Sequence, residues 1–264
     1  MAEKITSVSN DTVKMCVRVR DSARARRESG RFFLEGARLC ADAVQSGYEP
    51  VCTFYTAQAL ERYGDYLNRI LPNAASSYEV APAVAAKLAD TRTPQGVFGL
   101  FRIPKERETD VLEPGAYVAL EQVQDPGNLG AICRTAEAIG VHGVLLSSCC
   151  DRYNPKAQRA AMGSLLRLRL FDIPDLPAYL SARGAEGFKT YASVPDSTAC
   201  PVTQADFKGN VITVIGNEGS GITPETAAAC GSRVTIPMGG RAESLNANSA
   251  AAILIWEMMR GRSE

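Results

Sequence analysis

The chain has 264 residues, enough for one large or two modest domains, and a 45% hydrophobic content that fills real cores. Lys and Arg total 29 against 29 Asp and Glu, a balance that excludes general avidity for nucleic acid. No apolar run approaches a membrane span and MAEKITSVSNDTVK holds no hydrophobic signal core, so a cytoplasmic protein is expected. The eight cysteines form no CxxC or CxxxC pair, which points to reduced, mostly buried thiols and not to zinc ligands or disulfides.

In chain order, residues 16–29 (CVRVRDSARARRES) read as a basic helical lead-in. Residues 30–36 give a short strand or turn, and a helix through Ala37, Leu39, Cys40, Ala43 and Val44 stops at Gly47. Strands at 51–55, 77–80 and 96–101 alternate with helices at 57–71 and 82–90, which makes a compact α/β unit over residues 1–101. Residues 102–114 (RIPKERETDVLEP) are charged, contain two prolines and lack apolar periodicity, the signature of a linker.

A second α/β domain over 115–264 opens with an apolar strand at 116–123, followed by the polar loop 124–130 and a helix that ends at Gly140. Strands at 144–146, 189–194, 211–215 and 234–238 alternate with helices at 156–166, 175–183 and 244–260, so the sheet is expected to be parallel. Val211 to Ile215 is a β-branched run suited to burial on both faces. Thr223, Pro224 and Glu225 have the chemistry of an N-cap and first helical turn. The last helix is apolar nearly all round and is expected to be buried, yet its first turn carries Glu243, Ser244, Asn246, Asn248 and Ser249.

Three polar loops, 124–130, 216–221 and 239–246, therefore follow strand ends, where open parallel sheets place ligands. The glycines of GNEGSG read GxxGxG and not GxGxxG, and Ile222-Thr223 replaces the lysine and hydroxyl of a phosphate loop. Ordinary turns remain the alternative for these loops. The sole histidine, His142, sits in the turn GVHG and reads as structural; no nucleophile–base pair and no metal-ligand spacing is present. Asn128, Arg134, Glu218, Ser244 and Asn246 are the candidate reactive groups, a set suited to positioning an anionic substrate and a small cofactor. Residues 1–40 and 151–170 each carry a local charge excess of about +4, which fits a specific anionic partner or a solvated face.

LEQVQDPGNLGAICRTAEAIG, VIGNEGSGI and IPMGGRAESLNANSAAAIL resemble, in order and spacing, the three motifs of the SpoU/TrmH methyltransferases, which are RNA ribose 2′-O-methyltransferases of the SPOUT superfamily. RARRESGRFFLEGARL and TPQGVFGL resemble that family's N-terminal substrate-binding domain, and KAQRAAMGSLLRL resembles a family segment after the second strand. The resemblance implies a C-terminal parallel-sheet domain with a deep trefoil knot, preceded by a small α/β RNA-binding domain. It also implies a homodimer, while the sequence itself, without metal-ligand spacing or a membrane-length apolar run, leads to no metal and no membrane. S-adenosylmethionine would be held around Gly216, Asn217, Glu218, Gly219, Ile236, Met238, Leu245 and Asn246. Arg134, Asn128, Glu218, Ser244 and Asn246 would be catalytic, and Arg24, Arg26, Arg27, Arg31, Lys156 and Arg159 would meet RNA. The extra domain favours rRNA over tRNA as substrate. The rival readings are a tRNA substrate and an RNA-binding relative that no longer transfers methyl groups. The sequence departs from the common pattern at Asn248 and Ala161.

Overall fold

A computed structural model describes residues 3–104, 112–241 and 244–262. Most of the expected linker and Glu243 lie outside the described residues. In chain order the elements are β1 (Glu3–Ile5), α1 (Asp11–Asp21), α2 (Ala23–Ser29), β2 (Arg31–Glu35), α3 (Ala37–Gln45), β3 (Pro50–Tyr55), α4 (Ala57–Arg62), α5 (Gly64–Ile70), β4 (Ser76–Val80), α6 (Pro82–Leu88) and β5 (Val97–Arg102). There follow β6 (Ala116–Glu121), α7 (Pro126–Ile139), β7 (Gly143–Ser147), α8 (Pro155–Ala161), α9 (Ser164–Arg167), β8 (Leu170–Asp172), α10 (Leu176–Ala185), β9 (Lys189–Ser193), β10 (Cys200–Pro201), β11 (Val211–Ile215), α11 (Pro224–Ala229), β12 (Ser232–Thr235) and α12 (Ala247–Met259).

The chain divides into two compact units, one of Met1–Arg107 with Tyr153–Leu166, the other of Glu108–Arg152 with Arg167–Glu264. By sequence, residues 153–166 belong with the second domain. They fall with the first because their apolar side chains complete its core: Tyr153 lies 4.7 Å from the Phe32 ring, and Leu166 is buried among Phe32, Leu34 and Phe101.

The first unit has a five-stranded mixed sheet in the order β1-β4-β3-β5-β2, parallel from β1 to β3 and antiparallel from β3 to β2. One face packs Phe33, Phe54 and Phe98 against Val13, Cys16 and Val19 of α1 and Leu88 of α6. The other packs Phe32 and Phe101 against α3 and α5. The basic lead-in is two helices and starts earlier than expected. Asn10 caps α1, accepting hydrogen bonds from the Thr12 and Val13 amides, and Ser22 both ends α1 and caps α2. The expected helix at 57–71 likewise breaks at Tyr63-Gly64.

The second unit has a seven-stranded, wholly parallel sheet in the order β10-β12-β9-β11-β6-β7-β8. Its two middle strands, VITVI and AYVALE, are buried along their whole length, as the β-branched run required. Pleating sends Tyr117, Ala119, Ile212 and Val214 to the face covered by Leu176 and Leu180 of α10. The alternate residues meet α12, which also packs on α7. The short edge strands β8 and β10 escape sequence reading because two or three residues carry no periodicity.

Candidate functional site

Four strand ends meet at the carboxyl edge of this sheet, those of β6, β9, β11 and β12, and the loops they carry build the site. The stretch expected as the loop 124–130 is in fact the start of α7. Asp125 caps the helix by accepting from the Asn128 amide at 2.9 Å, and Pro126 occupies the first turn, where a missing N–H costs nothing. β6 ends two residues before its expected bound because Gln122 turns into left-handed backbone at φ 54°.

The loop after β11 closes on itself. The Asn217 amide donates to the Gly221 carbonyl at 2.9 Å and the Gly221 amide returns a bond of 3.0 Å. Asn217 Oδ1 accepts from the Gly219 and Ser220 amides, and its Nδ2 donates to the Gln122 carbonyl at 2.8 Å. Asn217, expected at the cofactor, therefore also ties this loop to the end of β6. Gly216 has to be glycine: a Cβ there would stand 2.2 Å from the Gly221 carbonyl carbon.

Glu218, at the tip, reaches α7. Its carboxylate accepts from Asn128 Nδ2 at 3.0 Å and from the Asp125 and Gln124 amides at 3.2 and 3.3 Å. The sequence separates these partners by some ninety positions. A carboxylate bound to the open amides of a helix start is a favourable arrangement. Desolvation pushes the Glu218 carboxyl up, but the bonds from Asn128 and the backbone amides outweigh it and hold it below the usual range.

A buried carboxylate that sequence reading missed supports the same loop from beneath. Glu121 is 5% exposed at the end of β6, and accepts from the Thr223 amide and hydroxyl at 2.8 Å each and from the Thr226 hydroxyl. Thr223 is the expected N-cap of α11. A lone acid closing an otherwise apolar strand was the available signal.

Between the 216–221 loop and the segment leading into α12 lies a cleft of about 290 Å³. Of the residues expected at a cofactor, Gly216, Asn217, Glu218, Gly219, Ile236, Met238 and Leu245 line it, as does Ser244. Ser193, Val194 and Pro195, at the end of β9, also line it and were not anticipated; their position at the end of a parallel strand was the signal. β12 ends at Thr235, so Ile236 and Met238 are loop, and not strand as expected.

Asn246 does not line the cleft. It caps α12, with Oδ1 accepting from the Asn248 amide at 2.9 Å, so that helix begins at Ala247 and not at 244. Asn128 reaches the site through Glu218. Arg134 lies exposed on α7 outside the cleft lining, and its six-residue offset from Asn128 turns it about 240° around the helix. α12 is less buried than expected: Leu254 and Ile255 are covered, but Ile253 is 37% and Trp256 58% exposed.

His142 is structural, its Nδ1 accepting from the Ala116 amide at 3.2 Å. Burial pushes the thiols of Cys149 and Cys150 up to about 11 and about 12, so both stay protonated and poorly nucleophilic at neutral pH. Among the described residues no group of three His, Cys, Asp or Glu is placed to hold a metal ion. Among the described residues the site offers an apolar floor, backbone polar groups and one fixed carboxylate. That combination suits a flat aromatic ring and a cationic centre on one small molecule.

Of the basic residues expected at RNA, Arg26 serves the fold instead. It is 3% exposed, and its guanidinium donates to the Val19 and Arg20 carbonyls at 2.8 and 2.7 Å, closing the end of α1. Arg24, Arg27 and Lys156 are exposed; Arg31 donates to the Met15 sulfur, and Arg159 pairs with Asp90.

Residues 115–256 match the SpoU rRNA Methylase family and residues 10–99 the MRM3-like substrate binding domain. An uncharacterised tRNA/rRNA methyltransferase of Synechocystis, slr1673, is 32% identical over 97% of this chain and 93% of its own length. The 23S rRNA (uridine(2479)-2′-O)-methyltransferase of Streptomyces viridochromogenes is 30% identical over 90% of this chain and 85% of its own. The AdoMet-bound rRNA methyltransferase of Sinorhizobium meliloti superposes with a TM-score of 0.88 at 28% identity, covering 100% of this chain and 99% of that one. With more than half of its length matched by one family, the chain belongs to the SpoU rRNA methylase family.

Proposed function

We propose that this protein transfers a methyl group from S-adenosylmethionine to a ribose 2′-hydroxyl of ribosomal RNA. The observation that carries the reading is the strand-end cleft itself, apolar-floored and backbone-walled, with Glu218 fixed to Asn128 at its mouth. Ile236, Met238 and Leu245 would hold the adenine, and Gly216 to Gly219 the rest of the cofactor. Bound there, S-adenosylmethionine supplies an electrophilic methyl group on a sulfonium centre.

The chain's own contribution is positioning, which supplies much of the rate when two reactants are held in line. Glu218 and Asn128 brace the 216–221 loop against α7, so the cleft wall does not drift. Asn246 Oδ1 is occupied by the α12 amide, which leaves its Nδ2 to donate to the RNA. Ser244 presents a hydroxyl from the cleft lining. Arg134, whose guanidinium offers five N–H donors and no acceptor, meets phosphate and orients the ribose and is a poor proton acceptor. The first unit is the substrate-binding part, with Arg24, Arg27, Arg31, Lys156 and Arg159 as its RNA contacts.

The reading carries with it a homodimer, a trefoil-knotted C-terminal unit and action in the cytoplasm. Exposed Ile253 and Trp256 on α12 support the homodimer, since a solvent-facing tryptophan beside an isoleucine is the composition of an interface. The sheet order, which sets β9 between β12 and β11 with α12 returned onto α7, supports the knot.

The test is transfer of labelled methyl from S-adenosylmethionine to rRNA, followed by mapping the 2′-O-methyl position by primer extension at low nucleotide concentration. A single arrest site that Arg134→Ala and Asn246→Ala both abolish is expected. Cofactor binding without transfer to any rRNA, naked or assembled, would sink the catalytic reading.

A further inference from the structure

The first unit encloses a second cavity, of about 410 Å³, within the range of small-molecule sites. Its walls are braced. The Glu35 carboxylate accepts from the Asp90 amide at 2.8 Å, the Thr91 amide at 3.2 Å and the Thr91 hydroxyl, and Arg159 pairs with Asp90. Gln95 Oε1 accepts from the Ala37 amide at 3.0 Å, which holds Gln95 in the cavity lining beside the start of α3.

The charges lining the cavity cancel, Arg38 and Arg159 against Glu35 and Asp42. An anion therefore gains little by entering, and a neutral group with polar edges suits the space. Two apolar surfaces complete it. Leu39 comes from α3; Met162, 50% exposed, follows α8 in left-handed backbone at φ 51°, a conformation uncommon for a residue with a side chain. A nucleobase turned out of single-stranded RNA has this complement, two flat faces and an edge of donors and acceptors.

We infer that this cavity holds one nucleobase extruded from the RNA substrate. The base packs between Leu39 and Met162, and its edge takes hydrogen bonds from the Gln95 amide and the Arg159 guanidinium. Its phosphate stays at the rim beside Arg38, whose side chain is 69% exposed and only 3.9 Å from Asp42. The inference deepens the RNA methyltransferase reading and rests on it for the identity of the polymer.

Methyl resonances of ¹³C-methionine protein test both readings separately, because Met238 lines the cleft and Met162 the cavity. S-adenosylmethionine is expected to move Met238 alone. An unstructured oligoribonucleotide and the ribonucleoside 5′-monophosphates are expected to move Met162, whereas ribose 5-phosphate leaves it still. Arg38→Gln should weaken the oligoribonucleotide response at Met162 by threefold or more without changing Met238. A Met162 signal indifferent to RNA and monophosphates, with Met238 responding normally, overturns the pocket and leaves methyl transfer standing. A response to monophosphates but not to RNA, or equally to ribose 5-phosphate, also overturns it, as a free-nucleotide or simple anion site. Silence at Met238 with a response at Met162 defeats the cofactor reading and keeps the pocket.

Discussion

Truncating Glu121 tests whether the buried carboxylate organises the cleft from below. Glu121→Ala removes the acceptor for three donors, the Thr223 amide, the Thr223 hydroxyl and the Thr226 hydroxyl. One hydroxyl can turn to the other, since the two oxygens stand 3.0 Å apart. Two donors of this part-buried network are left unmet, at about 1–3 kcal/mol each, so the cost is about 4 kcal/mol. Glu121→Gln keeps a carbonyl for the amide and offers its NH₂ to a hydroxyl oxygen, for a cost of about 1 kcal/mol. The gap of about 3 kcal/mol corresponds to roughly 6–12 °C in Tm for a unit of this size. Trp256, the one tryptophan, lies in the second unit, so its fluorescence in urea reads that unit directly. The Ala variant should also bind S-adenosylmethionine more weakly, because Thr223 follows the loop that walls the cleft. Equal costs for the two variants, or both below about 1 kcal/mol, would refute the argument.

Gly216→Ala forces the loop apart, given a Cβ 2.2 Å from the Gly221 carbonyl carbon; calorimetry should show at least a tenfold loss of S-adenosylmethionine affinity with the circular dichroism spectrum unchanged. Glu218 has a folded pKa below its unfolded one, so its stabilisation is fully present above the unfolded value of about 4.3 and is lost as pH falls through the folded value. Wild type should accordingly exceed Glu218→Gln in stability at neutral pH and converge with it in acid; a gap that widens on acidification would contradict the assigned bonds. Arg26→Ala should cost the first unit about 2–3 kcal/mol by freeing the buried Val19 carbonyl and the part-buried Arg20 carbonyl, whereas exposed Arg27→Ala should stay within about 0.5 kcal/mol. Thermal denaturation of the pair distinguishes them.

What could be read from the sequence follows from which forces are local. The run VITVI announces a strand buried on both faces, and Thr223-Pro224 announces a helix start, because each rests on neighbours in the chain. The bond from Asn128 to Glu218 rests on β11 lying beside β6, a pairing that no local pattern encodes. Residues 124–130 read as loop by composition, yet their polar groups serve a helix start, with Asp125 as cap and Pro126 in the first turn. Apolar periodicity extends the last helix back to Ser244 and Leu245, and does not reveal that Asn246 is its cap. Arg26 looked like its neighbours in a basic run, and only the end of α1 explains why it alone turns inward.

The placement of residues 153–166 in the first unit sets a schedule for synthesis. When residue 104 leaves the ribosome, β2 and β5 are already made, but Phe32 still lacks Tyr153 and Leu166. Translation at about 5–20 residues per second must run on for several more seconds before those side chains arrive. Throughout that interval the nascent chain carries an aromatic surface with its cover still unmade. A chain cut between the units would remain in that state, so the N-terminal half is expressed to best effect with residues 153–166 attached.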